Sequence, residues 1–201
     1  MTSTTATARV ARREAPPSVR PTGWWGMVIL IATEATLFAI LISTYFYLRF
    51  TWDGTWPPQP LHDPKLVKPV IATLILIASS VPAVLATRAA RDREQMRARL
   101  ALLVAVALGV VFLILQRQLV DSSLETFRPG DHAYGSIFYT LIGLHAAHVV
   151  FGVLLGAFAV LRTVRLDRTA AVTVRVTALY VHFVNVVAAL VFLVLYLSPR
   201  G

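Results

Sequence analysis

The sequence predicts an all-α membrane protein, a bundle of five transmembrane helices, and three observations carry that prediction. Hydrophobic residues make up 57% of the 201 positions and charged ones only 14%, whereas a soluble domain carries about 25% charged residues. Five long apolar runs are separated by polar connections. Arg and Lys gather in alternate connections, as expected of a chain that crosses a membrane with a fixed orientation. That distribution explains the net charge of +9 without nucleic acid as a partner. The absence of cysteine excludes disulfides, thiolate metal sites and Cys-ligated clusters.

Residues 1–22 are Thr-, Ala- and Arg-rich, with Pro16, Pro17 and Pro21. They lack the apolar core of a signal peptide and read as a flexible basic arm. Residues 23–201 form the membrane domain. Its first span covers about residues 24–48, long enough for the roughly 17 to 25 residues of a crossing helix. The connection 49–68 holds Trp52, Trp56 and a Pro-Pro pair, suited to a loop lying on lipid headgroups, where Trp is favoured. The second span, about 69–87, contains Pro82, which should kink it. The third covers about 100–119. "RPGD" at 128–131 is a turn signal ahead of the fourth span, about 134–161. There Gly152 and Gly156 form a GxxxG spacing that permits close helix contact. The fifth span covers about 176–197.

Thirteen of the nineteen basic residues fall in the N-terminal arm, the second connection and the fourth connection. With five crossings, this places the N-terminus in the cytoplasm and the C-terminus outside.

Few strongly polar groups lie inside the spans: Glu34, His145, His148, His182 and Asn185. At about 1.5 Å rise per residue, Glu34 lies ~15 Å from the inner boundary. His182 and Asn185 lie ~10 and ~15 Å from it, and His145 and His148 ~16 and ~21 Å from the outer one. All five therefore sit between the midplane and the inner boundary. His145 and His148 share a helix face, as do His182 and Asn185. These depths predict one buried polar cluster joining the first, fourth and fifth helices, with Glu34 accepting hydrogen bonds from one or more histidines. A carboxylate at this depth costs on the order of 3 kcal/mol unless it meets protein groups or water. Three roles fit: packing glue between helices, a proton-linked or lipid-headgroup role, and metal or haem ligation. The last lacks support, because no spanning histidine lies in the outer half; His62 and His132 sit in outer loops beside Asp63 and Asp131.

Three stretches carry a resemblance. "GWWGMVILIATEATLFAILISTYFYLR" (23–49), "HAYGSIFYTLIGLHAAHVVFG" (132–152) and "YVHFVNVVAALVFLVLYL" (180–197) together resemble subunit III of cytochrome c oxidase and related haem–copper oxidases. The family patterns are Ser/Thr-Glu-x-x-x-Phe, then YGSxFYxxTGxHGxHV, then YWHFVDVVW. The chain looks like the five-helix form of a family that otherwise has seven. It departs from the pattern at Ala146, Val181, Asn185 and Ala188, where the family carries glycine, tryptophan, aspartate and tryptophan. After the third helix it has "LQRQLVD" in place of a Gln-x-x-Glu element.

The resemblance implies a subunit with no catalytic residue, metal, haem or copper of its own. The redox cofactors, proton channels and electron entry would lie in partner subunits I and II of a hetero-oligomeric complex in the bacterial inner membrane. Such a subunit packs against subunit I, holds phospholipid in a cleft and sustains proton uptake during aerobic respiration. The family's buried carboxylate matches Glu34, and its histidines match His145, His148 and His182. The alternatives are a subunit III-like protein of a quinol oxidase or nitric oxide reductase, a b-haem electron carrier, and a small proton-linked transporter.

Overall fold

The computed structural model describes residues 21–58, 66–165 and 167–200. The basic arm expected over 1–22 falls almost wholly outside the described residues, as do His62, Asp63 and Lys65. Five helices are long and apolar enough to cross a membrane: α1 (Thr22–Thr51), α2 (Val67–Arg91), α3 (Gln95–Leu124), α4 (Ala133–Arg162) and α5 (Arg168–Leu197). No strand occurs among the described residues. Each helix overruns its apolar run. In α3, for instance, Arg97 and Arg99 precede the run. Arg is a good helix former whose long stem carries the charge to water, so helical backbone continues past the apolar stretch.

Helix α2 consists of two segments, Val67–Ala78 and Ser80–Arg91, that meet at Ser79. Pro82 accounts for the interruption. It has no N–H to offer the carbonyl four residues earlier, that of Ala78. The Ser79 N–H turns instead to the Leu76 carbonyl at 3.0 Å, and the Ser79 hydroxyl donates to the same oxygen at 2.6 Å. The interruption thus lies one turn before Pro82. At its end, α2 closes with Glu94 N–H on the Ala89 carbonyl at 2.9 Å and Arg93 at φ 60°, a left-handed position normally given to glycine.

Helix α5 is the centre of the bundle, packing on α1, α2 and α4, while α1 leans on α4 and α5. Half of the apolar window of α5 is buried, against 11% for α1. Helices α3 and α4 pack tightly where glycine removes the side chain. A Cβ at Gly156 would stand 2.7 Å from Val106 Cγ2, and one at Gly109 would stand 2.9 Å from Val153 Cγ2. Gly152 faces the Tyr180 ring of α5 at ordinary distance. The two glycines of the GxxxG spacing therefore serve different neighbours.

The two ends of the bundle differ in chemistry. At one end, Trp56 is tucked inward rather than laid flat. Its Nε1–H donates to the Tyr45 hydroxyl at 3.1 Å, and its ring packs edge-on against Tyr45 and Tyr134. Arg49 closes the same end by donating to the carbonyl (2.6 Å) and hydroxyl oxygens of Ser198. His132 accepts from Gly135 N–H at 2.8 Å as the N-cap of α4, the role its ring takes in place of a free loop position. The opposite end collects Arg88, Arg91, Arg93, Arg97, Arg99, Arg162, Arg165 and Arg168. There Asp167 caps α5 through Ala170 N–H at 2.7 Å, and Gln95 donates to the Val164 carbonyl at 2.6 Å.

Candidate functional site

The five polar residues of the spans do not form one cluster. The structure divides them among three places, and the reason is direction rather than depth. Glu34 on α1 faces α4, where its Oε2 lies 2.9 Å from Nε2 of His148. Nδ1 of His148 lies 2.8 Å from the Leu144 carbonyl oxygen one turn back. A carbonyl can only accept, so Nδ1 carries the proton of that bond. The contact between Nε2 and Glu34 then needs one further proton, held as imidazolium with carboxylate or as imidazole with carboxylic acid. Both forms are neutral as a pair, the state that a poorly solvated setting favours.

Local packing fixes the pair. Phe38, 2% exposed, stands one turn beyond Glu34 and meets the His148 ring edge-on at 5.0 Å. The Glu34 side chain nevertheless stays 27% exposed, and that of His148 13%. They line a shallow groove with Leu30, Ala147, Phe151 and Tyr180. Among the described residues this is the one carboxylate–histidine contact.

The second place joins α5 to the interruption in α2. Asn185 Nδ2 donates to the hydroxyls of Ser79 (3.1 Å) and Ser80 (2.7 Å). His182 Nδ1 lies 3.2 Å from the Ser80 hydroxyl. Asn185 is buried, and its side chain anchors the interruption of α2 at Ser79. Sequence reasoning missed Ser79 and Ser80. Their signal was present as two adjacent hydroxyls in an apolar run shortly before a proline, where freed backbone groups need partners.

His145 occupies the third place. It is 4% exposed, lies edge-on to Phe112 at 5.6 Å and to Phe38 at 6.5 Å, and finds no hydrogen-bond partner for either ring nitrogen among the described residues. Among the described residues, no group of three or more His, Cys, Asp or Glu side chains is placed to hold a metal ion.

Taken together, the polar contacts bridge α1 to α4 and α2 to α5, and each bridge lies within an otherwise apolar bundle. Comparison with known proteins places the chain in a family. The family model described as cytochrome c oxidase subunit III matches residues 14–199. Cytochrome c oxidase subunit 3 of Bacillus subtilis is 33% identical over 181 residues, covering 87% of this chain and 84% of the relative. The probable cytochrome c oxidase subunit 3 of Mycobacterium tuberculosis is 32% identical, covering 85% of each. The dugong protein of the same name is 29% identical, over 90% of this chain and 71% of its own. The chain is a multi-pass membrane protein that belongs to the cytochrome c oxidase subunit III family, and so is a subunit of a respiratory terminal oxidase.

Proposed function

We propose that the chain is the non-redox subunit III of an oxygen-reducing oxidase, packing against subunits I and II and organising the complex rather than catalysing its reaction. Haem and copper belong to those partners in this reading, and phospholipid contacts the exposed helix faces. The single observation that carries it is the Glu34–His148 contact at 2.9 Å. It ties α1, the most lightly buried helix, to α4 within the span, in addition to the Arg49–Ser198 contact at the end of the bundle. A neutral pair of this kind fixes helix position without presenting an open ligand to a redox centre. The cytoplasmic placement of the N-terminus is part of the same proposal and is supported by the arginines gathered at one end.

Glu34→Ala tests the assignment in the intact complex. The proposal predicts weaker retention of this subunit during purification and a loss of activity that grows with turnover, with the initial rate little changed. Unaltered assembly together with unaltered endurance would remove the organising role. Immediate loss of all oxygen reduction, in a complex that still assembles fully, would point to a catalytic role instead.

A further inference from the structure

His145 presents a problem that the bundle itself does not solve. An imidazole always carries at least one N–H, and when neutral it also offers a lone pair. Both nitrogens of this ring are buried and lack a partner among the described residues. Native interiors rarely leave such groups unmet, and an ordered water is the usual completion. The ring also lies on the wall of a cavity of about 20 Å³ open to the centre of a water molecule. About 10–15 Å³ by that measure suffices for one water. Three other polar side chains, Thr73 of α2, Gln116 of α3 and Tyr196 of α5, stand on the same wall, which also carries apolar groups such as Phe112, Ile142 and Val191.

We propose that this cavity between α2, α3, α4 and α5 is a hydration site, in which a bound water joins a ring nitrogen of His145 to Gln116 and Thr73. Water is the ligand that fits on size, on the need for both donor and acceptor, and on the number of polar partners. At 4% exposure the ring is out of reach of a partner subunit's side chains. The site is separate from the Glu34–His148 pair. Phe38 packs edge-on against both histidines and places an aromatic ring between the two polar places. The paired histidines of α4 therefore have different partners: His148 holds a neighbouring helix, and His145 holds solvent.

The test is a map of the intact oxidase at a resolution where ordered waters are visible at other buried polar groups. A peak within about 3.2 Å of a His145 ring nitrogen, and within reach of Gln116 or Thr73, supports the proposal. An empty cavity in such a map would overturn it, as would a ring turned onto the Leu141 carbonyl. A pair of variants reads the same question through stability of the complex. With water present, His145→Gln keeps a polar partner for it and holds Tm within a few degrees of the parent, whereas His145→Phe strands the water and lowers Tm by more. A dry site predicts the reverse order, because phenylalanine would then remove two unpaired polar atoms.

Discussion

Removing Glu34 and His148 singly and together gives the energetic worth of the bond that ties α1 to α4. The bond is geometrically good, 2.9 Å from Nε2 to Oε2, with Nδ1 anchored at 2.8 Å on Leu144. Breaking a fully buried ionic pair by deleting one partner costs about 3–5 kcal/mol. This pair is not fully buried, since the Glu34 side chain is 27% exposed and that of His148 13%. Interhelical polar contacts in membranes average about 0.6 kcal/mol and reach about 1.7. A coupling of about 1 kcal/mol follows, equivalent to a factor of about five in the equilibrium for docking α1. The assay is a double-mutant cycle with Glu34→Ala, His148→Ala and the double variant, unfolded in mixed detergent micelles. Intrinsic fluorescence reports the right element, because all four tryptophans (Trp24, Trp25, Trp52 and Trp56) lie on α1 or in the segment just after it. A coupling indistinguishable from zero would overturn this expectation, because the two side chains would then contribute independently and the contact would hold nothing.

Asn185→Leu removes two bonds to Ser79 and Ser80 and should cost about 1–3 kcal/mol, read as a lowered thermal midpoint; no change would mean that the interruption of α2 needs no anchor. Gly156→Ala forces a Cβ to 2.7 Å from Val106 Cγ2 and should destabilise by about 1–3 kcal/mol. Gly143→Ala, with nothing within 4 Å, should be neutral or stabilising by up to about 1 kcal/mol, so detergent unfolding of the two variants separates crowding from a general dislike of substitution. Arg93→Gly should stabilise the α2–α3 turn by about 1 kcal/mol, because Arg93 sits at φ 60°, where an L side chain costs roughly that amount; a lower midpoint in that variant would show that the arginine side chain contributes more than its backbone strain costs.

The membrane character of the chain and its helical class were legible because apolar length is a one-dimensional property. The same is true of depth, which is why rise per residue alone brings Glu34 and His148 to the same half of the bilayer. Direction around each helix is not one-dimensional. His182 and Asn185 sit at a suitable depth for Glu34, yet their face of α5 is turned to α2, where Ser79 and Ser80 receive them. The expected single cluster failed on that rotation. The serines went unnoticed because a hydroxyl in an apolar helix normally satisfies itself on its own backbone, as Ser79 also does through Leu76. Trp56 has partners that composition does not show, for a related reason. Composition says that tryptophan favours a headgroup region, but the fold supplies Tyr45 and Tyr134 as closer partners.

The non-redox assignment is tested most directly by purifying the tagged chain from its own membranes in mild detergent, then recording a visible absorption spectrum of the complex and of the chain separated from it. A subunit III should co-purify with haem- and copper-bearing subunits that reduce oxygen, and should show no Soret band once separated. A Soret band that stays with the chain alone, or a chain that purifies without redox partners, would contradict the assignment.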